Sequence, residues 1–215
     1  MDKIVFLSYY YDLLTPVYGG KSDLISFNRI KVIENGDTTN ECVINLPNHS
    51  GTHIDFPRHF SNNGNTCSDY SSEFWVFKKI GFLSCSIDEL PNMIKGLPSD
   101  IEILILKTGF GTKRGHESYW QSQPVIPASY GNLLRSTFPY LRVFGFDLIS
   151  LTSKLDRFEG KKAHISFLIE NDILILEDMN LTQINDSPRR IIISPLLIKD
   201  ADGSPCTVIA FLNEF

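Results

Sequence analysis

No two of the four cysteines, Cys42, Cys67, Cys85 and Cys206, stand in CxxC spacing, so neither a zinc ribbon nor a dithiol redox pair is encoded. A chain of 215 residues can bury a sizeable core and does not need a disulfide framework. Nowhere do about eighteen apolar residues run together, the length a membrane helix requires, and no membrane partner is expected. The N-terminal stretch MDKIVFLSYYYDLLTP has a short apolar run, Ile4 to Leu7, before its tyrosines, Asp12 and Pro16. That is too short and too polar for a signal peptide, and the expected location is cytoplasmic.

Basic charge is never concentrated. Lys78-Lys79, Lys161-Lys162 and Arg189-Arg190 are scattered pairs in a chain of net charge −5. Nucleic-acid recognition needs clustered Lys and Arg, so no nucleic-acid partner is expected. The glycine-rich Gly109-Phe-Gly-Thr-Lys-Arg-Gly-His116 lacks the GxxxxGK[ST] pattern of a phosphate loop; it reads better as a mobile flap over a pocket. Tyr9-Tyr10-Tyr11 has no interleaved basic residue, and reads as interface or pocket wall rather than a base-stacking platform.

What remains is an ordinary globular composition, 42% hydrophobic and 21% charged, with no repeat, linker or low-complexity tract. Short β-rich runs recur at Lys3–Leu7, Phe27–Ile33, Cys42–Leu46, Phe74–Phe77, Phe82–Cys85, Ile101–Lys107, Arg142–Phe146, Ile173–Leu176, Arg190–Ile193 and Thr207–Phe211. Turn signals such as Asn35-Gly36-Asp37 and Asp202-Gly203 separate them. The nearly continuous apolar runs Ile101–Leu106 and Ile191–Ile193 predict strands buried on both faces. Helices are fewer: Pro127–Arg135, Lys161–Glu170, and a turn opened by the Ser86…Glu89 capping-box pattern. The expected fold class is α/β (α+β), one domain over residues 1–215, with a central mixed sheet and a few short flanking helices.

Histidine is scarce too, five in all, yet three of them crowd into Asn48-His-Ser-Gly-Thr-His-Ile-Asp-Phe-Pro-Arg-His59. Gly51, β-branched Thr52 and Pro57 argue against a helix here. Read as extended chain with period two, His49, His53, Asp55 and His59 share one face, and Ser50, Thr52, Ile54 and Phe56 face away. Imidazole and carboxylate in phase suit Zn, Mn, Fe or Ni; the competing reading is a polar loop whose histidines have unrelated roles. One cluster holds too few ligands for two metals. Downstream, helix, tight Asn171-Asp172 turn and strand would bring His164 and Glu177 toward a common end, unless they are simply a surface His and a strand-end Glu.

The motif HSGTHIDFPRH resembles the HxGTHxDxPxH signature of the cyclase family of metal-dependent hydrolases, whose best-known branch is bacterial kynurenine formamidase (arylformamidase). Thr15-Pro16-Val-Tyr18-Gly-Gly, Lys107-Thr-Gly-Phe110, Phe144-Gly-Phe-Asp-Leu-Ile-Ser150, Glu177-Asp-Met-Asn-Leu181 and the closing Asp202-Gly-Ser-Pro205 follow in the family's order. The resemblance implies a β-barrel-like central sheet and a homodimer or homotetramer. It implies a divalent metal centre, two ions per chain of Zn or Mn, with His49 and His53 on one ion, His164 on the other, and Asp55 and Glu177 contacting both. His59 would be the acid/base rather than a ligand. Tyr18 would lie against the substrate, and Phe56, where formamidases usually carry a small residue, would reshape the pocket. The implied activity is hydrolysis of an amide-type bond, a formamide or cyclic amide, in a small molecule by metal-activated hydroxide. Two alternatives stay open: a metal-containing small-molecule-binding protein, and a metal-dependent lyase or dehydratase.

Overall fold

The computed structural model describes residues 3–20 and 22–212. The β-rich runs become strands β1 (Lys3–Phe6), β2 (Ser26–Lys31), β3 (Glu41–Asn45), β5 (Val76–Phe77), β6 (Ile80–Ser84), β7 (Ile103–Lys107), β8 (Val143–Phe146), β9 (Leu174–Glu177), β10 (Arg190–Pro195) and β11 (Gly203–Leu212), and the histidine-rich stretch adds β4 (His53–Asp55). The short helices are α1 (Leu90–Met93), α2 (Ser118–Gln121), α3 (Ser129–Thr137) and α4 (Arg157–His164).

Nine strands form one mixed sheet in the order β5-β10-β11-β4-β9-β8-β7-β6, with β1 added on β11. The run β6 to β9 is parallel, and from β9 through β4, β11 and β10 to β5 the pairing is antiparallel. The two ends of this order, β5 and β6, are joined in the chain by Lys78-Lys79 alone. Glu102 accepts both of those backbone N–H groups at 3.2 and 3.4 Å. Arg142 ties the same corner, donating to the Phe74 carbonyl at 2.6 Å and pairing with Glu102 at 3.3 Å. The sheet thus curls into a nearly closed barrel, the arrangement that leaves fewest bare strand edges. The fold is the expected α/β single domain with a barrel-like sheet and few helices.

Ile103, Leu104, Ile105 and Leu106 of β7 are wholly buried, as their unbroken apolar run requires. The helix expected at Lys161–Glu170 starts earlier, at Arg157, because Asp156 caps it by accepting the Glu159 N–H at 2.9 Å. From Ile165 to Glu170 it widens into a π-helix, a distortion frequent at functional sites. Among the described residues, strands β2 and β3 pair only with each other, as a ribbon apart from the main sheet.

Candidate metal centre

The histidine-rich stretch is not extended throughout. Only His53–Asp55 is strand; Gly51 turns the chain before it at φ +58°, and Pro57–His59 forms a 3-10 turn after it. Gly51 is needed there twice over, for its left-handed backbone and because a Cβ would meet the Tyr11 ring at 2.7 Å. The turns swing His49 and His59 back over β4, so the predicted set of His49, His53, Asp55 and His59 does converge, by folding rather than by strict alternation.

β4 lies between β9 and β11, with His53 directly opposite Glu177 and Asp55 opposite Gly203. Glu177 ends β9, at the carboxyl end of the parallel strands, where open α/β sheets place their ligands. His164 arrives on the last residue of α4. Each buried carboxylate offers one oxygen to each side. His53 Nε2 lies 3.3 Å from Asp55 Oδ1 and 3.4 Å from Glu177 Oε2. His164 Nε2 lies 3.5 Å from Asp55 Oδ2 and 3.7 Å from Glu177 Oε1. His49 Nδ1 joins the first side, 2.7 Å from Asp55 Oδ1.

The far ring nitrogens are already engaged. His53 Nδ1–H donates to the Gly51 carbonyl and His164 Nδ1–H to the Gly160 carbonyl, both at 2.9 Å. Carbonyls only accept, so these bonds fix the tautomer that turns the Nε2 lone pair toward the carboxylates. Glu177 Oε1 is steadied by the Leu151 N–H at 2.5 Å and Ser150 Oγ at 3.3 Å.

The electrostatics match a centre built for cations. Burial works to raise the Asp55 carboxyl, but hydrogen bonds from His164, His49 and His53 hold it well below the usual carboxylate range. Burial lowers His53 and His164, and the carboxylates outweigh it, raising them to about 9 and about 10. Among the described residues no lysine or arginine pairs with Asp55 or Glu177, and His53, Asp55 and Glu177 can each give one ligand atom within 4.8 Å of the others. Nitrogen and oxygen donors in this mix fit a divalent metal cation.

His59 stands apart from this inner set. Burial, then the neighbouring His49 and His164, lower its pKa from 6.5 against the pull of Asp55 and Asp202. Its ring stacks on His49 at 3.9 Å, and its Nδ1 faces Asp202 Oδ2 at 3.1 Å. Phe60, the next residue, stacks on His164 at 4.5 Å and walls that side. The Tyr18 hydroxyl is buried, with Arg157 beside it. Desolvation raises its pKa, Arg157 opposes this and Glu177 adds to it, which places Tyr18 in the field of the centre.

Phe56 is not part of the site. It is wholly buried, stacked on Tyr70 at 5.5 Å and edge-on to Trp75 at 6.2 Å. The physical reason is the strand period: Ile54 and Phe56 point into the core from the face opposite His53 and Asp55. The pocket role expected for it is therefore replaced by a packing role. Nor is the glycine-rich loop a loose flap. Asp147 accepts the N–H groups of Thr108, Gly109 and Gly111, and Arg114 clamps buried Asp178 through Nε and Nη2 at 2.9 Å. The sequence reading missed Asp202, Ser150 and Phe60 as site residues. Asp202 and Ser150 each carried a signal, Asp202 in the closing Asp-Gly-Ser-Pro segment and Ser150 at the end of Phe144-Gly-Phe-Asp-Leu-Ile-Ser.

The chain is 28% identical to kynurenine formamidase of Bacillus thuringiensis subsp. konkukian, over 82% of each chain. It is 27% identical to kynurenine formamidase of Geobacillus thermodenitrificans, over 95% of each. In fold it resembles isatin hydrolase A from Labrenzia aggregata, solved bound to benzyl benzoate, with a TM-score of 0.82, 20% identity and coverage of 99% of this chain and 94% of that one. A structure described as a potential metal-dependent hydrolase with cyclase activity has a TM-score of 0.75, 20% identity and full coverage of both chains. The family model described as putative cyclase matches residues 5–152. That span takes in the strand bearing His53 and Asp55, the turn bearing His59 and the loop bearing Ser150, and the chain belongs to the putative cyclase family.

Proposed function

We propose that the protein is a metal-dependent hydrolase that cleaves a non-peptide amide bond, a formamide or a cyclic amide, in a small molecule. The observation that carries this is the pair of buried carboxylates, Asp55 and Glu177, each turning one oxygen toward His53 and the other toward His164. Relatives that are kynurenine formamidases, and fold neighbours that are isatin hydrolases, support the same class of bond.

His49 and His53 would hold one cation and His164 a second, with Asp55 and Glu177 shared; Zn and Mn both suit three imidazoles and two carboxylates. A cation so held supplies Lewis acidity, polarising a carbonyl and bringing the pKa of water near neutrality. The chain supplies the rest. His59, held neutral by its lowered pKa, takes the proton from the attacking water and returns it to the leaving nitrogen. Tyr18, in the field of Glu177, and Phe60, stacked on His164, would flank the space a substrate fills.

The free cysteines, Cys42, Cys67, Cys85 and Cys206, suit a reducing compartment such as the cytoplasm. A homodimer or homotetramer is supported by the β2–β3 ribbon, which presents Ile30, Val43 and Ile44 to solvent, since a two-stranded ribbon is marginal alone. The test is elemental analysis after Zn or Mn reconstitution, coupled to hydrolysis of aryl formamides and lactams. His59→Ala should keep its metal and lose turnover by roughly 10²–10⁴-fold; full activity in that variant would remove His59 from the reaction.

A further inference from the structure

Asp202 sits in the turn that enters β11, and its side chain is about two-fifths exposed, at 39%. It is held firmly all the same. Its Oδ1 accepts from Asn48 Nδ2 at 2.7 Å, and its carbonyl accepts the Phe56 N–H at 3.0 Å. Its Oδ2 faces two imidazoles at once, His49 Nε2 and His59 Nδ1, each at 3.1 Å. Those two rings are the stacked pair, 3.9 Å apart and 27° from parallel. The neighbouring Gly203 makes the approach physically open, because a Cβ there would strike the His49 ring at 2.2 Å.

We propose that Asp202 is the positioning residue of this site, a single carboxylate that fixes the tautomer of His59 and holds His49 beneath it. The inference rests on the reading of His59 as the proton carrier. A carboxylate only accepts hydrogen bonds, so the nitrogen facing it carries the proton. With Nδ1–H donated to Asp202, His59 keeps its lone pair on Nε2, free to accept a proton. An imidazole without such a partner can place its proton on Nε2 and present a donor where an acceptor is required. On His49 the same carboxylate holds the proton on Nε2, which leaves Nδ1, on the Asp55 side, as the nitrogen that would face a cation; carboxylates behind ligand histidines orient them in just this way.

Asp202→Asn is the discriminating change, because an amide cannot serve every partner. If its NH₂ faces Asn48 it meets a donor, and if it faces the imidazoles it meets two. The test uses the full chain loaded with saturating Zn, labelled with ¹⁵N-histidine, with long-range ¹⁵N–¹H spectra to read each ring's tautomer. In the parent protein His59 should be protonated on Nδ1. In Asp202→Asn it should shift toward Nε2–H, with zinc affinity down roughly 10–100-fold. With formanilide as substrate, kcat should fall roughly 10²–10⁴-fold while KM stays within about threefold. Asn48→Ala, which loosens Asp202 without removing it, should give a smaller loss of the same kind and covers the case of a poorly folded Asp202→Asn. The double variant His59→Ala/Asp202→Asn should be no slower than His59→Ala alone, since both changes remove one function. An unchanged His59 tautomer in a folded Asp202→Asn protein, or full additivity in the double variant, overturns the proposal. Full turnover in His59→Ala instead overturns the acid/base reading beneath it, and the two failures are thereby told apart.

Discussion

His53 and Glu177 face each other directly across the β4–β9 pairing, with Nε2 and Oε2 3.4 Å apart. The centre is therefore set by strand register. A slip of one residue would turn Ile54 and Leu176, both wholly buried, toward the ligands and send the histidine and glutamate into the core. Asp55, two residues along the same strand, extends the pair to His164 and His49.

It follows that His53→Ala and Asp55→Ala should each abolish both metal content and turnover. Asp55→Ala should be the more damaging to the fold, because it strands His53 and His164 without their main counter-charge in a buried site. Elemental analysis and an amide-hydrolysis assay on the same preparations read both effects. Stoichiometric metal in His53→Ala would move that histidine out of the ligand set.

Part of this site was legible in the sequence and part was not, for a physical reason. His49, His53, Asp55 and His59 stand within one short stretch, so spacing alone brought them to notice. Glu177 and His164 could be paired from the helix-turn-strand pattern and the family resemblance. Asp202 reaches the site only through the β11–β4 pairing that sets Gly203 opposite Asp55, a long-range register no local pattern encodes. The strand runs were legible from their apolar runs, yet the barrel closure depends on Arg142 and Glu102 meeting at one corner. Phe56 shows how a motif can mislead. Its neighbours face the candidate centre, while the period-two alternation sends it the other way.

The raised His53 and His164 values set a pH dependence with opposite signs for the two forms of the protein. In the metal-free protein their folded values, about 9 and about 10, exceed the ordinary 6.5. Their stabilising contribution is complete below about pH 6.5 and is lost as pH rises through 9 to 10. Asp55, depressed from 3.8, contributes above that value and loses its contribution as pH falls below it. Metal must displace the imidazole protons, so its stabilisation grows as pH rises. Thermal melts with and without chelator from pH 6 to 9.5 should show the metal-free Tm falling and the gap to the loaded protein widening. A metal-free Tm that climbs across that range would contradict the assignment.

Arg114 and Asp178 form the other buried charge pair near the centre, one residue beyond Glu177. Asp178 is almost fully buried, sits at φ +49°, and accepts from Arg114 and from the Tyr119 hydroxyl at 2.6 Å. Burial raises its pKa even with Arg114 beside it. Arg114→Ala should leave that carboxylate unpaired and cost roughly 3–5 kcal/mol, a Tm fall on the order of 10 °C for a domain of this size. Arg114→Ala combined with Asp178→Asn should recover part of the loss, since the uncompensated charge is gone. Denaturant melts of the single and double variants measure the coupling; simple addition of the two effects would mean the pair does not stabilise the loop.

Phe56 offers the sharpest separation of packing from pocket. Its ring is wholly buried between Tyr70 and Trp75, and the strand turns it away from the face that carries His53 and Asp55. Phe56→Ala opens a large cavity in the core, and comparable truncations cost roughly 3–5 kcal/mol. Phe56→Leu keeps most of the volume and should cost less. In both variants, at a temperature where the protein remains folded, KM for an aryl formamide should stay within about twofold, because no substrate contact is lost, and metal content should be unchanged. Unfolding midpoints measured beside steady-state kinetics on the same samples distinguish the two roles. A raised or lowered KM with an unmoved Tm would return Phe56 to the substrate pocket.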